Sequence, residues 1–246
     1  MSSFETVIYD KKNGIAHITL NRPEKLNAYN VRMRDELYEV LGAIGDDPEV
    51  LVVIFSGRGD RSFCAGADLS EFLATSSPII ARQARWERDV WGRFLGIRQP
   101  LIAALHGLVL GSGMEIALCC DIRIASKDAS FGLPETTLAI IPAAGGTQTL
   151  PRVIGRGKAL EMLLTGDRIS AREALDTGLV NAVVPRDRLL TTAEDMARRI
   201  ASYDPVAVQA TKEAVVRGLD LSLADGLRLE HQLSAYVQSA KHRKQT

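Results

Sequence analysis

The chain has few of the residues on which metal, redox and disulfide chemistry depend. Its 246 residues include three cysteines, Cys64 and the neighbours Cys119 and Cys120, and four scattered histidines. No CxxC, HxH or HExxH spacing occurs, and an odd number of cysteines argues against a disulfide framework. We therefore expect no metal site, and we interpret the cysteines as small buried side chains.

An excess of charge of one sign is also absent. The 30 Lys and Arg side chains balance the 30 Asp and Glu side chains. Because nucleic acids and anionic membranes attract positively charged surfaces, this balance argues against both partners. No apolar run approaches the roughly 18 residues of a membrane span, and the first ten residues contain no basic segment followed by an apolar stretch. We expect a cytoplasmic protein.

The glycine-rich segments lack three common catalytic motifs. Residues 111–113 (GSG) have no third glycine of a GxGxxG dinucleotide motif, and residues 155–158 (GRGK) are followed by Ala159 where a P-loop requires Ser or Thr. No serine has glycines at both the second preceding and the second following position, as a serine hydrolase requires. Dinucleotide, triphosphate and serine hydrolase chemistry are therefore not supported.

The hydrophobic pattern predicts an α/β protein. Alternating residues 6–9 and 15–20 predict a hairpin with its turn at 12–14, and a helical stripe follows over 31–44. Strands are predicted at 50–55, 101–105 and 121–125, the first two of them wholly apolar and buried. Helices are predicted over about 78–97 and 113–120, and nearly throughout the chain after about residue 145.

Four helix boundaries can be predicted from local sequence. Residues 170–173 (SARE) form a capping box, and Asp204 followed by Pro205 is a typical helix start. Gly218 is predicted to be the C-cap of that helix, and the last helix is expected to begin within 222–225.

Two glutamates, Glu115 and Glu135, lie in Gly-rich and apolar surroundings where a carboxylate needs a partner or a function. Two carboxyl groups in one site can divide acid and base roles. Two Gly/Ala-rich loops, residues 62–69 and 106–114, follow predicted strands. One backbone N–H from each loop could form an oxyanion hole for a thioester carbonyl. Taken alone, each loop is more simply interpreted as a tight turn that allows close helix-to-strand packing.

The chain resembles the enoyl-CoA hydratase/isomerase (crotonase) superfamily over nearly its whole length. A single matching segment would be weak, but the matching segments occur in the order and spacing of that family. They are residues 21–28 (NRPEKLNA), 63–69 (FCAGADL), 106–115 (HGLVLGSGME), 120–125 (CDIRIA), 131–135 (FGLPE), 141–148 (IPAAGGTQ), 164–166 (LTG) and 174–181 (ALDTGLVN).

The resemblance implies roles for four site residues. The backbone N–H groups of Ala67 and Ser112 would form the oxyanion hole in which the thioester carbonyl becomes an enolate. In similar hydratases two glutamates, at the positions of Glu115 and Glu135, hold a water molecule above the β-carbon. The resemblance assigns Glu115 to binding and deprotonating the water and Glu135 to protonating the α-carbon, in a syn addition without a separate cofactor.

The resemblance also implies the CoA contacts and the assembly. The fold would be a short superhelix of ββα units over residues 1–190, followed by a helical oligomerisation region over 191–246. That region would build homotrimers, often paired into hexamers. CoA would be contacted by Lys25, Leu26 and Ala28 in the first matching segment and by Ala65, Asp68 and Leu69 in the second.

Both glutamates together favour an enoyl-CoA hydratase, a lyase of fatty acid metabolism that acts on 2-enoyl-CoA thioesters. Ser112 and Ala143 stand where hydratases often carry glycine, which keeps open another crotonase reaction: an enoyl-CoA isomerase or a specialised dienoyl- or cyclic-acyl-CoA hydratase. A non-catalytic acyl-CoA- or RNA-binding member is a further alternative. Acyl preference is expected to reside in residues 71–98, which contain Trp86 and Trp91.

Overall fold

Strands from successive parts of the chain form two sheets in the computed structural model, which describes residues 4–72 and 87–243. The first sheet has the order β1-β2-β3-β5-β7-β10, and the second has the order β4-β6-β8-β9. The strands are β1 Val7–Lys12, β2 Ile15–Leu20, β3 Val52–Gly57, β4 Ser62–Cys64, β5 Leu101–Leu105, β6 Leu108–Leu110, β7 Ile122–Ser126, β8 Ser130–Gly132, β9 Ile169–Ser170 and β10 Ala182–Val184.

In three pairs of consecutive strands, the two members of each pair belong to different sheets. The first strand of each pair (β3, β5 and β7) lies in the larger sheet and the second (β4, β6 and β8) lies in the smaller one. Neighbouring strands of these units are parallel, whereas β1–β2 and β8–β9 are antiparallel. This repeated arrangement confirms the predicted superhelix of ββα units.

The helices follow these strand pairs and then dominate the last third of the chain. Short 3₁₀ turns cover Pro23–Lys25, Pro134–Leu138 and Arg186–Arg188. The helices are α1 Val31–Asp46, α2 Leu69–Phe72, α3 Val90–Gly96, α4 Ser112–Cys119, α5 Gly146–Ile154, α6 Arg156–Thr165, α7 Ala171–Asp176, α8 Leu189–Ala201, α9 Pro205–Gly218 and α10 Leu223–Arg243. None of those within the described residues is both long and apolar enough to cross a bilayer.

The predicted hairpin and the buried strands are confirmed. Asn13 and Gly14 join β1 to β2 with positive φ angles of 52° and 75°, the left-handed conformation that a tight hairpin turn requires. Strand β5 is buried at every position because the larger sheet is covered on both faces.

Helix α8 covers one face of the larger sheet. Its buried residues Leu189, Ala193 and Ala197 recur every four positions and share a cluster with Val52 and Ile54 of β3. The alternate β3 residues belong to the main core on the opposite face. The expected boundary between residues 190 and 191 therefore falls inside a helix that packs on the sheet.

The helix caps agree with the sequence in all but one case. Ser170 and Glu173 form the capping box, and Asp204 accepts bonds from the first two N–H groups after Pro205. The prediction for Gly218 is wrong, since Gly218 lies in the last turn of α9 and Leu219 is the C-cap in a right-handed conformation. Of the helix expected at 78–97, the structure describes α3, while residues 73–86, including Trp86, lie outside the described residues.

A buried carboxylate joins helix α1 to the edge of the larger sheet. Glu36 accepts bonds from the backbone N–H groups of Glu5, Thr6 and Val7, at 3.0, 2.8 and 3.0 Å. Arg32 donates to the same carboxylate from one turn earlier. Burial raises the pKa of Glu36, but the hydrogen bonds from Glu5, Thr6 and Arg32 outweigh it, and the net effect is a lowered pKa.

Replacing Glu36 by glutamine should lower the free energy of unfolding by about 2–3 kcal/mol at pH 7, because an amide loses the charge and turns an N–H group toward N–H donors. Urea unfolding measures this, and Glu39→Gln on the exposed side of α1 should change stability by less than about 0.5 kcal/mol. Because the pKa is lowered, the Glu36 contribution is lost as pH falls through its folded value. Equal effects of the two substitutions would contradict the assignment.

Candidate active site

The first Gly/Ala-rich loop follows β4 and runs beside Tyr29. Tyr29 N–H donates to the Gly66 carbonyl, and the Tyr29 carbonyl accepts from Asp68 N–H, both at 2.8 Å. Since backbone groups alternate in direction along an extended segment, this pairing turns the N–H of Ala67 to the other side. Within residues 4–72 and 87–243, the Ala67 N–H has no hydrogen-bond acceptor.

The second loop leads into helix α4. Gly111 has a φ of 51° and donates to the Gly132 carbonyl at 3.0 Å, after which α4 begins at Ser112. The first N–H groups of a helix have no intrahelical acceptor, and in the described part of the chain Ser112 N–H has none from elsewhere. The serine that replaces the expected glycine leaves this N–H in place.

The two loops touch because residues 66, 111 and 113 are glycines. A Cβ on Gly111 would lie 3.2 Å from the Gly66 Cα, and one on Gly113 would lie 2.3 Å from the Cys64 carbonyl oxygen. Each of these glycines adjoins one of the unpaired N–H groups, those of Ala67 and Ser112. Two backbone N–H groups on touching loops, without an acceptor among the described residues, are available to hydrogen-bond a ligand oxygen.

Glu115 lies one turn into α4 and is 3% exposed. Its N–H donates to the Gly111 carbonyl at 2.9 Å, so the helix fixes its side chain relative to the loop. Its Oε1 accepts from the backbone N–H groups of Ala144 and Gly146, at 2.8 and 3.0 Å. These charge-assisted bonds hold the carboxylate in one orientation. Ala143, the other departure from the common hydratase sequence, is exposed and directly precedes one of the two donors.

Glu135 belongs to the 3₁₀ turn Pro134–Leu138 that follows β8. A Cβ on Gly111 would lie 3.2 Å from its Oε1, so this carboxyl group reaches the start of α4. Its Oε2 is buried with no hydrogen-bond partner among the described residues. Burial raises the pKa of Glu135, which favours the protonated form of the carboxyl.

The structure thus gathers all four sequence-predicted reactive residues around the first turn of α4. Gly111 directly precedes Ser112 and lies against both the first loop, which contains Ala67, and the carboxyl group of Glu135. Glu115 follows one helical turn later. The two carboxyl groups differ, because Glu115 accepts two backbone N–H bonds whereas Glu135 keeps a buried oxygen without a partner. Such a pair can act as base and acid in one reaction.

The two segments expected to contact CoA lie side by side. Ala65 N–H donates to the Leu26 carbonyl at 3.1 Å, and Leu26 has a positive φ of 54°. Lys25 is exposed at the end of its 3₁₀ turn, and Leu69 is exposed at the start of α2. Ala28 is partly buried near the same edge.

The Asp68 carboxylate is held within the protein. Ser70 donates to it at 2.6 Å, and Arg22 forms a 3.0 Å ion pair with it while also donating to the Ala28 carbonyl. The hydrogen bond from Ser70, with further bonds from Arg22, lowers the pKa of Asp68 below its usual range.

Sequence reasoning missed two residues that hold the first segment in place. Arg22 bridges both segments, and Asn27 is fully buried with a φ of 54°. Asn27 donates to the carbonyls of Arg58 and Ser62, each at 2.9 Å. The sequence signal for this role is the asparagine itself, because asparagine tolerates the left-handed conformation and its side chain can hydrogen-bond to nearby backbone.

Comparison with known proteins identifies relatives along almost the entire chain. A family model described as enoyl-CoA hydratase/isomerase matches residues 10–246. The short-chain-enoyl-CoA hydratase of Clostridium acetobutylicum is 43% identical over 224 residues, 91% of this chain and 86% of that protein. The (E)-benzylidenesuccinyl-CoA hydratase of Thauera aromatica is 38% identical over 250 residues, 97% of this chain and 93% of that protein.

A solved structure has the same fold. The crystal structure of an enoyl-CoA hydratase from Bacillus anthracis superposes with a TM-score of 0.92 at 42% identity, and the match covers 97% of this chain and 93% of that chain. Its fold agrees with the ββα units described above, and the family match spans both glutamates and both loops. The chain belongs to the enoyl-CoA hydratase/isomerase family.

Proposed function

We propose that this protein is an enoyl-CoA hydratase, which reversibly adds water in a syn manner to the double bond of a 2-enoyl-CoA thioester. One observation carries the proposal: the first turn of α4 bears Glu115, the start of that helix contacts Glu135, and the two carboxyl groups are held differently. Beside them lie the N–H groups of Ala67 and Ser112, which have no acceptor among the described residues. The hydratases of Clostridium acetobutylicum and Thauera aromatica named above support the same reaction.

The thioester carbonyl would accept hydrogen bonds from the N–H groups of Ala67 and Ser112. As the double bond is attacked, negative charge develops on this oxygen, and fixed donors stabilise that charge without reorganising. One donor of this kind contributes about 2.7–4 kcal/mol to transition-state stabilisation. The N-terminal end of α4 adds a favourable dipole at the same point.

The two carboxyl groups would transfer the protons. Glu115 takes a proton from water, the water oxygen bonds to the β-carbon, and the electron pair of the double bond moves toward the thioester carbonyl. Glu135 then gives its proton to the α-carbon of the enolate. The hydrogen bonds to Glu115 suit a carboxylate that starts ionised, and the burial of Glu135 suits a carboxyl that starts protonated.

CoA enters this mechanism only as part of the substrate. Its nucleotide would lie along the paired segments that contain Lys25, Leu26 and Ala28 on one side and Ala65, Asp68 and Leu69 on the other. Lys25 is exposed and can pair with phosphate. The backbone of the second segment is open to hydrogen bonds with the adenine edge.

A specialised hydratase for a bulky acyl group is a second candidate. The segment between Glu135 and Ala144 exposes Leu138, Ile140 and Ile141, the last at 65%, so apolar surface lies beside the reactive carboxyl groups. A large apolar acyl group would cover such surface. The Thauera aromatica relative, whose name specifies a benzylidenesuccinyl-CoA substrate, also supports a bulky acyl group. Turnover of straight-chain, branched, aromatic and cyclic enoyl-CoA esters would distinguish the candidates.

We also propose a homotrimer or a dimer of trimers built through α9 and α10. These helices bury only Ala210 and Leu229 while exposing large apolar side chains along their length. Leu219 and Leu223, in and after the connection between the helices, are 80% and 81% exposed. Surface of this kind is covered in most proteins by a partner, here a second copy.

Substituting either glutamate should abolish hydration while preserving the fold. Glu115→Gln removes the base and Glu135→Gln removes the acid, so each should lower kcat for crotonyl-CoA by about 10²- to 10⁴-fold. Glu194→Gln, in the exposed part of α8, is the matched control and should retain full activity. Near-full activity in either active-site variant would contradict the two-carboxyl mechanism.

The pH dependence should reflect the raised pKa of Glu135. Because the protonated carboxyl is the active form and the pKa of Glu135 in the free enzyme is raised by burial, kcat/KM for hydration should fall as pH rises through that pKa. A pH–rate profile measures this descending limb. The residual activity of Glu135→Gln should lack it, and an unchanged limb in that variant would contradict the assignment.

The oligomer should have three or six times the protomer mass of 26.8 kDa. Multi-angle light scattering after size exclusion measures the mass directly. Leu223→Glu should reduce the measured mass toward that of one protomer, because a charge would enter the proposed contact between copies. Leu190→Glu, on the exposed side of α8, should leave the mass unchanged. A monomeric wild-type protein would refute the assembly.

A further inference from the structure

We propose that the C-terminal end of α6 positions the Glu135 carboxyl, with Gly166 and Thr136 as positioning residues. Residues 164–166 match the family pattern but have no role in the mechanism described above. The inference rests on the proposed function, in which Glu135 transfers a proton, and it identifies what holds that group in place.

No other residue in the described part of the chain donates a hydrogen bond to the Glu135 side chain. Its Oε2 has no hydrogen-bond partner among the described residues, and its carboxyl accepts a bond from its own backbone N–H. Glu115, in contrast, is oriented by two N–H groups from another segment. The location of the Glu135 carboxyl therefore depends on the backbone of the turn Pro134–Leu138.

The turn Pro134–Leu138 is held both by hydrogen bonds of its own backbone and by one hydrogen bond to helix α6. Ala139 and Ile140 N–H groups return to the carbonyls of Thr136 and Glu135, at 3.1 and 3.2 Å. The external anchor is the Thr136 hydroxyl, which donates to the Leu163 carbonyl in the last turn of α6 at 2.8 Å. The end of α6 thus fixes the residue next to Glu135.

Gly166 forms the second contact between α6 and the turn. It caps α6 with a φ of 74°, and its N–H donates to the Met162 carbonyl at 3.0 Å. A Cβ on Gly166 would lie 2.6 Å from Thr137 Cγ2 and 3.6 Å from Pro134 Cα, on either side of Glu135 in sequence. Any side chain at this position would therefore collide with the Thr137 methyl group. Rotation of that methyl group away from the contact would cost the 2.7 Å hydrogen bond from the Thr137 hydroxyl to the Pro134 carbonyl, so the collision is passed on to the turn.

Gly178 provides a matched control for the backbone conformation. Its φ of 76° is nearly that of Gly166, but nothing lies within 4 Å of a Cβ added there. Alanine at either position is strained by the left-handed conformation, and only alanine at 166 meets the turn. Comparison of the two variants separates displacement of Glu135 from a general loss of stability.

The experiment measures kcat, KM and Tm for Gly166→Ala, Gly178→Ala and the double variant Gly166→Ala/Thr137→Ser. We expect both single variants to lose about 2–4 °C in Tm. Only Gly166→Ala should lower kcat, by roughly 10- to 100-fold as for an ångström-scale misplacement, with KM within about twofold. The double variant should recover most of kcat, because serine keeps the hydroxyl that bonds to the Pro134 carbonyl and removes the methyl group.

The proposal fails if Gly166→Ala retains wild-type kcat, if Gly178→Ala loses as much, or if the double variant does not recover. Thr136→Val, which removes the bond to Leu163 at similar volume, should lower kcat as well and replaces Gly166→Ala if that variant does not fold. Crystal structures give a readout independent of activity: the Glu135 carboxyl should shift relative to Gly111 in Gly166→Ala and not in Gly178→Ala. An unshifted carboxyl refutes positioning, whereas wild-type protein without hydratase activity refutes the proposed function alone.

Discussion

Helix α4 begins in contact with the carbonyl of Cys64, and this contact requires that residue 113 have no side chain. The close approach brings the loop after β4 to the loop after β6. Each loop contains one backbone N–H, that of Ala67 or Ser112, with no acceptor among the described residues. The close approach also fixes the start of a helix that carries Glu115 one turn later. The strand pairs on either side supply the rigid frame, since each places one strand in each sheet and directs the next segment to the same end.

The carboxyl groups of Glu115 and Glu135 have different environments. Ala144, before α5, and Gly146, at its first position, donate N–H groups to Glu115. Glu135 comes from the turn after β8, and its buried Oε2 has no partner among the described residues. Hydrogen bonds favour an ionised carboxylate, and burial without partners favours a protonated one. A fold that supplies opposite environments to two identical side chains can use one as base and the other as acid.

Individual helices and strands could be predicted from the sequence because they depend on local patterns, whereas the superhelix and the roles of the site residues were inferred from the family resemblance. The hairpin, helix α1, strand β5 and the Ser170 capping box each follow from spacing within a short window. Features that depend on distant residues could not be predicted in this way. The donors to Glu115 come from about thirty residues later in the chain, and Glu36 bonds to a strand edge about thirty residues earlier. Gly218 was misread because α9 ends in a right-handed conformation that any residue can adopt.

The central claim is that the hydroxyl group of one water molecule and one carboxyl proton add to the same face of the double bond. Hydration of crotonyl-CoA by the wild-type protein in D₂O tests it directly, with the position and stereochemistry of deuterium in the product read by NMR. The mechanism predicts one deuterium at the α-carbon, on the same face as the new hydroxyl group, in a single diastereomer. Deuterium on both faces, or a shifted double bond with no hydroxyl group added, would contradict it.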